Sequence, residues 1–169
     1  MKIIISIDQL ANLFADELPK KSRHAGITLF SLDIYQGSRL SAKTLERLQT
    51  HLRKGHLEEL CFTENEMLSY CEKFDHCKQH RCLTLQDFIA VEYAKSENYI
   101  LMAEKGYLSR YAMRKGVAVM SLGELEELCE QRRRRDPWRK DRLKSYYKDK
   151  ADTTEEEPKQ QAIDDDITF

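Results

Sequence analysis

The sequence predicts an α/β protein built on a mainly parallel sheet of five strands, with helices on both faces. Strand-forming segments alternate with helical segments five times along the chain, which is the pattern of a parallel sheet with crossover helices. Several of the strand segments are short, nearly continuous apolar runs, typical of strands buried on both faces. A length of 169 residues is enough for one domain with a buried core.

The first half of the chain is predicted to supply three strands. Residues 2–7 are almost entirely apolar and mostly β-branched, and Asp8 follows this strand directly. The next segment has the apolar spacing of an amphipathic helix, which we predict to end at Pro19. The other predictions for this half are a strand over 26–32, an ambiguous segment over 33–40, a helix from Ser41 to about Arg53 and a strand over 57–62.

The second half continues with helix starts that carry capping residues. Thr63 with Glu66 and Ser121 with Glu124 each match a capping box, and Thr84 is placed to cap the helix between them. The elements predicted between Thr84 and Ser121 are a helix, a strand over 99–102, a helix over 105–114 that ends at Lys115-Gly116, and a strand over 117–120.

The charge distribution divides the chain into three parts. The formal net charge is only -1, but residues 131–150 hold ten basic and three acidic residues, and residues 151–169 hold one basic and seven acidic residues. We therefore predict a folded domain over 1–130, a basic helical or disordered extension over 131–150, and an acidic disordered tail over 151–169.

The composition also indicates a compartment. No segment approaches the roughly 20 apolar residues that span a bilayer, and residues 3–7 are too few for a signal peptide. Five cysteines, an odd number, in a chain with no export signal are more typical of reduced thiols than of a disulfide framework. We expect a cytoplasmic protein that does not associate with a membrane.

Three acidic residues are predicted to share one edge of the sheet. Asp8 and Glu104 directly follow strands, and Asp87 lies in the first turn of a helix. Strand ends and the starts of crossover helices meet at the carboxyl edge, where open α/β sheets bind ligands. Converging carboxylates would bind Mg²⁺ or Mn²⁺, the ions that assist phosphodiester hydrolysis.

A simpler interpretation stays open beside the metal site, because helix starts attract acidic residues without any catalytic reason. Asp87 would then complete a capping arrangement with Thr84, Asp8 would cap the helix from Gln9, and Glu104 would favour the start of the following helix. The strand order decides whether the three side chains converge, and the sequence pattern does not contain that order.

The chain resembles the PIN domain family. Leu83-Thr84 with Asp87 is similar to the start of the family's C-terminal half, Leu101-Met102-Ala103-Glu104 to its acidic strand end, and Leu108-Ser109-Arg110 through Gly116-Val117 to the helix and strand that follow. The resemblance implies a three-layer α/β/α fold with adjacent first and fourth strands. It also implies a metal-dependent nuclease, often an endoribonuclease and often the toxin of a toxin–antitoxin pair, and therefore an antitoxin as a protein partner. The oligomeric state is left open, a dimer included.

The same comparison implies a catalytic and metal site formed by Asp8, Asp87 and Glu104, with one acid missing. The family's second acid should fall near Gln36 or Gly37, neither of which carries a carboxylate, and Glu104 stands where the family has Asp. Asp33 or Glu46 are the candidates to replace the lost acid. We therefore expect a PIN-like protein whose nuclease activity is weakened or lost.

A cysteine and histidine cluster is a candidate zinc site. Its members are Cys71, His76, Cys77, His80 and Cys82. Structural zinc sites usually pair cysteines two to four residues apart across a longer loop, and this spacing does not match that pattern. We expect a loop between two helices with incidental thiols rather than bound zinc.

The basic extension is a candidate nucleic-acid arm, since it combines dense positive charge with an aromatic ring that can stack on bases. Its candidate binding residues are Arg132, Arg133, Arg134, Arg135, Trp138, Arg139 and Lys140. The alternative for this segment is a solvated helix extension. The alternative function for the whole chain is a non-catalytic module that binds a protein through its charged tail.

Overall fold

The computed structural model describes residues 1–14, 17–77 and 82–135. Its sheet has five strands in the order β3-β2-β1-β4-β5, and every neighbouring pair is parallel. The strands are β1 Lys2–Ile5, β2 Thr28–Leu32, β3 Glu58–Leu60, β4 Ile100–Met102 and β5 Val119–Met120. The predicted five-stranded sheet is therefore confirmed, and it is parallel throughout.

Seven α-helices and two short 3₁₀-helices lie among the described residues. The α-helices are α1 Leu10–Leu13, α2 Leu18–His24, α3 Ala42–Arg53, α4 Glu64–Asp75, α5 Leu85–Glu97, α6 Tyr107–Arg114 and α7 Leu122–Arg135. The 3₁₀-helices are Ile7–Gln9, directly after β1, and Asp33–Tyr35, directly after β2. Both therefore start at the carboxyl edge of the sheet.

The four predicted helix caps are confirmed. The Ser41, Thr63 and Thr84 side chains accept from the backbone N–H groups of Thr44, Glu66 and Asp87. Ser121 and Glu124 form the reciprocal pair, since Glu124 Oε2 accepts from the Ser121 N–H at 2.7 Å and Ser121 Oγ accepts from the Glu124 N–H at 3.3 Å. These local hydrogen bonds fix where the helices begin.

The predicted helix end at Pro19 is wrong. Pro19 lies in the first turn of α2, where a proline is tolerated because the first N–H groups of a helix have no partner within it. In the apolar segment before it, the described residues form the single turn of α1, and residues 15 and 16 lie outside the described part of the chain. The predicted strands are also shorter than expected, since residues 6–7, 26–27 and 117–118 lie outside the strands.

Helices cover both faces of the sheet. The crossovers β1–β2 and β2–β3 run in one direction along the sheet, and the crossover from β3 to β4 returns past β1. Right-handed crossovers then place α1 to α3 on one face and α4 and α5 on the other. Helix α7 packs against α2, where Cys129 Sγ lies 3.5 Å from Ser22 Oγ. After their first residues the central strands β1 and β4 are buried, with Ile3, Ile4, Ile5 and Leu101 inaccessible to solvent.

The chain divides into the compact units Met1–Arg133 and Arg134–Phe169. Helix α7 runs through the predicted domain boundary at residue 130, and most of the predicted extension and all of the acidic tail lie outside the described residues. The predicted boundaries at 130 and 150 stay predictions. In the described part of the chain, no helix is both long and apolar enough to cross a membrane.

Candidate functional site

The predicted acidic residues follow strand ends or begin a helix at the carboxyl edge of the sheet. Asp8 lies in the 3₁₀-helix after β1, Glu104 follows β4, and Asp87 lies in the first turn of α5. Because β1 and β4 are neighbours, the strand order supplies the adjacency that the sequence pattern did not contain. The side chains nevertheless have different surroundings, which decide what each carboxylate can bind.

Asp87 is the buried carboxylate of this edge, with 8% of its surface exposed. Its Oδ2 accepts from the Thr84 hydroxyl at 2.8 Å, and its backbone N–H donates to Thr84 Oγ1 at 3.1 Å. Its Oδ1 is buried and has no hydrogen-bond partner among the residues that the structure describes. Burial raises the pKa of Asp87, with a further increase from the charge of Asp8, while the Thr84 bonds oppose the shift.

Asp8 is exposed and couples electrostatically to Asp87. It sits within the first turn of its 3₁₀-helix, and the residue that precedes α1, Gln9, makes no side-chain cap hydrogen bond. The alternative in which Asp8 caps a helix from Gln9 is therefore wrong. Among the three predicted acids, all of which the structure describes, only Asp8 and Asp87 show this electrostatic coupling.

Glu104 is exposed, and its carboxylate contacts a residue just after the neighbouring strand, β5. Its Oε1 accepts from the backbone N–H of Leu122 at 3.3 Å, in the first turn of α7. The interpretation in which Glu104 favours the start of the next helix, α6, stays a prediction, and its described hydrogen bond goes to the start of α7. This contact satisfies one of the N–H groups that the start of a helix leaves without an internal partner.

The candidates for the missing acid are engaged or exposed. Asp33 accepts from the Ile34 N–H at 2.7 Å through Oδ1 and from the Phe62 N–H at 3.1 Å through Oδ2, so it ties the end of β2 to the segment after β3. Glu46 is exposed on α3. Gln36, near which the family's second acid was expected, donates through its amide to the carboxylate of Glu59.

Tyr35 is the residue of this edge that sequence reasoning missed. Its side chain is fully buried, and its hydroxyl donates to the backbone oxygen of Ile5 at 2.9 Å. Burial raises the pKa of Tyr35 well above its ordinary value, and the charges of Asp87 and Asp8 raise it further. A neutral hydroxyl therefore shares the environment of the two carboxylates. The segment 33–40 carried no periodic signal from which this position could have been predicted.

The described side chains do not complete a metal site. Among residues 1–14, 17–77 and 82–135, no group of three His, Cys, Asp or Glu side chains is arranged to hold a metal ion. Asp87, through its unpartnered Oδ1, and the nearby carboxylate of Asp8 could supply two ligands to a metal ion. Glu104 and Asp33 instead accept hydrogen bonds from backbone N–H groups. The predicted Mg²⁺ or Mn²⁺ site at Asp8, Asp87 and Glu104 stays a prediction.

The cysteine and histidine cluster is only partly described. Cys71 and Cys77 are half-buried, Cys82 is exposed, and His80 lies outside the described residues. Cys77 Sγ lies 3.9 Å from the hydroxyl of Tyr111, so this thiol packs against α6. The interpretation of this segment as a loop with incidental thiols stays a prediction.

The candidate nucleic-acid arm is described as far as Arg135. Arg132 is half-buried and donates through Nη1 to the Ala25 oxygen at 3.0 Å, so it ties α7 to the end of α2. Arg133 pairs with Glu130 at 3.1 Å, and Arg134 and Arg135 are exposed. Trp138, Arg139 and Lys140 lie outside the described residues.

No protein-family model matches the chain, and no curated protein sequence matches it either. Several solved structures are similar to it. They include a PilT N-terminus domain protein from Sulfolobus solfataricus (13% identity, 78% of this chain and 93% of that one, TM-score 0.44), VapBC2 from Rickettsia felis bound to a promoter DNA fragment (14%, 72% and 98%, 0.49), and PAE2754 from Pyrobaculum aerophilum (16%, 78% and 98%, 0.42).

The prediction of a PIN-like fold is confirmed in the structure of this chain itself: a five-stranded parallel sheet between helices, with the first and fourth strands adjacent.

Proposed function

We propose that this chain is a PIN-like protein related to metal-dependent endoribonucleases, in which catalysis is weakened or lost. The observation that supports the proposal is the state of Asp87, whose buried Oδ1 has no hydrogen-bond partner among the described residues. A buried, unpartnered carboxylate oxygen costs stability, and such groups are typical of functional sites. The edge thus retains the feature expected of a cation site.

The weakening follows from the neighbours of Asp87. Asp8 is the one predicted acid whose charge affects it, and the buried hydroxyl of Tyr35 lies in the same electrostatic environment. Mg²⁺ or Mn²⁺ bound here would polarise a phosphate and activate water. Two carboxylates can hold such an ion only weakly, with water or phosphate supplying the remaining ligands. The described residues do not bring a third His, Cys, Asp or Glu ligand to this ion.

We extend the proposal to RNA or DNA binding through the basic arm that begins at Arg132. Arg134 and Arg135 are its exposed members in the described part of the chain. Multiple arginines neutralise phosphates and release counterions, which gives binding that is independent of base sequence and sensitive to salt. A protein partner of the antitoxin kind and a cytoplasmic location remain predictions that follow from the family resemblance and from composition.

A cleavage assay with a labelled single-stranded RNA in the presence of Mn²⁺ tests the proposal. We expect at most slow cleavage by the wild-type protein, abolished by Asp87→Asn and unchanged by Glu72→Gln, which removes an exposed charge from α4. Rapid cleavage by the wild-type protein that Asp87→Asn abolishes would contradict the proposal that catalysis is weakened or lost. Slow cleavage that Asp87→Asn leaves unchanged would show that Asp87 does not take part in cleavage.

A further inference from the structure

A second basic surface lies on α2 and on the turn after α3. We call it the α2–α3 surface and define it by Lys20, Lys21, Arg23 and Lys54. The guanidinium of Arg23, on α2, packs against Gly55, in the turn after α3. Burial lowers the pKa of the neighbouring His56, and the charges of Lys54, Arg23, Lys20 and His24 lower it further, in that order, which agrees with that packing.

The packing between α2 and the turn after α3 is close. Gly55 has a positive φ of 61°, and a Cβ at this position would lie 2.7 Å from Nη1 of Arg23. The guanidinium of Arg23 therefore lies directly over the Gly55 backbone. Beside it, His51 stacks on Phe14 with ring centroids 5.1 Å apart, and the Nδ1 atoms of His51 and His56 are 3.4 Å apart.

The third contributor is α7. Arg132 reaches the end of α2 through the Ala25 oxygen, and the charges of Arg132 and Lys21 both act on the thiol of Cys129. The one acidic side chain with a described contact to the surface is Glu17, whose pair with Lys20 spans 4.0 Å and is largely exposed. Glu17 offsets one positive charge, and Lys21, Arg23 and Lys54 have no acidic partner in an ion pair among the described residues. The surface is therefore strongly cationic.

The α2–α3 surface lies at the amino edge of the sheet. Helices α2 and α3 end shortly before β2 and β3 begin, so their last turns lie where those strands start. Asp8, Asp87 and Glu104 belong to the carboxyl edge, at the other ends of the strands. The molecule thus carries a cationic edge and an acidic edge on opposite sides of one sheet.

The chemistry of this surface favours a nucleic acid over a protein. Protein interfaces have an apolar core with aromatic anchors, whereas protein–nucleic acid interfaces are more polar and strongly positive. Among the described residues, the exposed large apolar side chains are Met1, Leu68 at 62% and Met113 at 57%, and none of them lies on α2 or α3. A cationic surface without an apolar anchor suits phosphates rather than a protein groove.

We propose that the α2–α3 surface binds the phosphate backbone of a nucleic acid without reading its sequence. The inference rests on the proposed function in one respect, that the ligand is a nucleic acid. The residues that it assigns to binding differ from Arg134 and Arg135, the exposed arginines of the arm. Nucleic acid bound there would contact the amino edge of the sheet and leave the carboxyl edge, with Asp8 and Asp87, free. Mutations of the α2–α3 surface would then weaken binding without changing the residues proposed for cleavage.

The test is salt-dependent binding of a labelled single-stranded RNA of mixed sequence, measured by fluorescence anisotropy with the full chain in EDTA. The surface variant combines Lys20→Gln, Lys21→Gln and Lys54→Gln. The matched control combines Lys43→Gln, Lys95→Gln and Lys105→Gln, which removes the same charge from exposed positions elsewhere. An arm variant combines Arg134→Gln and Arg135→Gln. Circular dichroism and Tm confirm that each variant folds.

We expect the surface variant to bind at least about tenfold more weakly and to lower the slope of log K against log salt by about two, since each lost phosphate contact lowers it by roughly 0.7 to 0.9. The control should bind like wild type. The inference is overturned if control and surface variants lose affinity equally, if only the arm variant loses it, or if wild type binds anionic lipid vesicles but not RNA. Loss in the arm variant alone would leave the proposed function standing.

Discussion

Thr84 and Asp87 hold each other in place at the start of α5. The Thr84 hydroxyl donates to Asp87 Oδ2 at 2.8 Å and accepts from the Asp87 N–H at 3.1 Å, so one side chain both caps the helix and orients the carboxylate. The second carboxylate oxygen, Oδ1, has no partner in the part of the chain that the structure describes. The capping interpretation and the site interpretation of Asp87 are therefore compatible, because each uses a different oxygen.

Asp87→Asn should stabilise the protein at neutral pH. The folded pKa of Asp87 is raised above the ordinary value of 3.8, mainly by burial. The stabilising contribution of the protonated form is then complete below about pH 3.8 and is lost as the pH rises through the raised pKa. An amide is neutral throughout, so the variant should gain on the order of 1 kcal/mol in the free energy of unfolding at pH 7.

Urea denaturation at pH 7 and pH 4 measures this effect. The advantage of Asp87→Asn should be larger at pH 7 than at pH 4, and Glu46→Gln, an exposed control, should show little change at either pH. A variant that is less stable than wild type at pH 7 would show that the ionised carboxylate is satisfied in the folded state.

Thr84→Ala should lower the free energy of unfolding by about 1 kcal/mol, because it removes the acceptor of the Asp87 N–H. It should also raise the pKa of Asp87 further, since the Thr84 bonds hold that pKa down. Thr84→Ser retains the hydroxyl and is the matched control. Equal losses in both variants would mean that packing of the threonine methyl group, rather than the cap, provides the stability.

Tyr35→Phe should cost about 1 to 2 kcal/mol in the free energy of unfolding. It removes the hydroxyl that donates to the Ile5 oxygen at 2.9 Å in a fully buried setting, and a buried acceptor left without its donor is costly. Tyr70→Phe on α4, where the ring is half-buried, is the control and should cost less. Thermal denaturation compares the two, and equal losses would contradict a special role for the Tyr35 hydroxyl.

Gly55→Ala and Gly116→Ala should separate backbone strain from the position of Arg23. Both glycines have positive φ, 61° and 82°, so each substitution should cost about 1 kcal/mol in the free energy of unfolding. Only at Gly55 would the new Cβ displace the guanidinium of Arg23. We therefore expect weaker RNA binding for Gly55→Ala alone. Equal RNA affinity in the two variants would mean that the position of Arg23 is unimportant for binding.

The parts of the fold that depend on neighbouring residues could be predicted from the sequence. Caps at Ser41, Thr63, Thr84 and Ser121 were predicted because each forms within one helical turn. Pro19 failed as a helix end because the same residue also suits a first helical turn. The strand order depends on contacts between distant segments, and it became predictable only through the family resemblance.

The site was less predictable than the fold for the same reason. The position of Asp87 in a first helical turn is local information, but the contact of Glu104 with Leu122 depends on the pairing of β4 with β5, the strands that these two residues follow. Tyr35 lay in a segment without apolar periodicity, and its bond to Ile5 joins residues 30 positions apart. No pattern in the sequence pointed to either contact.

Mn²⁺ binding measured by isothermal titration calorimetry tests the central claim, that the carboxylate edge has two cooperating acids rather than a complete metal site. We predict binding on the order of millimolar for the wild-type protein, lost in Asp87→Asn and unchanged in Glu104→Gln, since no described contact joins Glu104 to Asp8 or Asp87 and its Oε1 accepts from the Leu122 N–H. Micromolar binding that also disappears in Glu104→Gln would contradict the claim, because it would require Glu104 to join Asp8 and Asp87 around the ion.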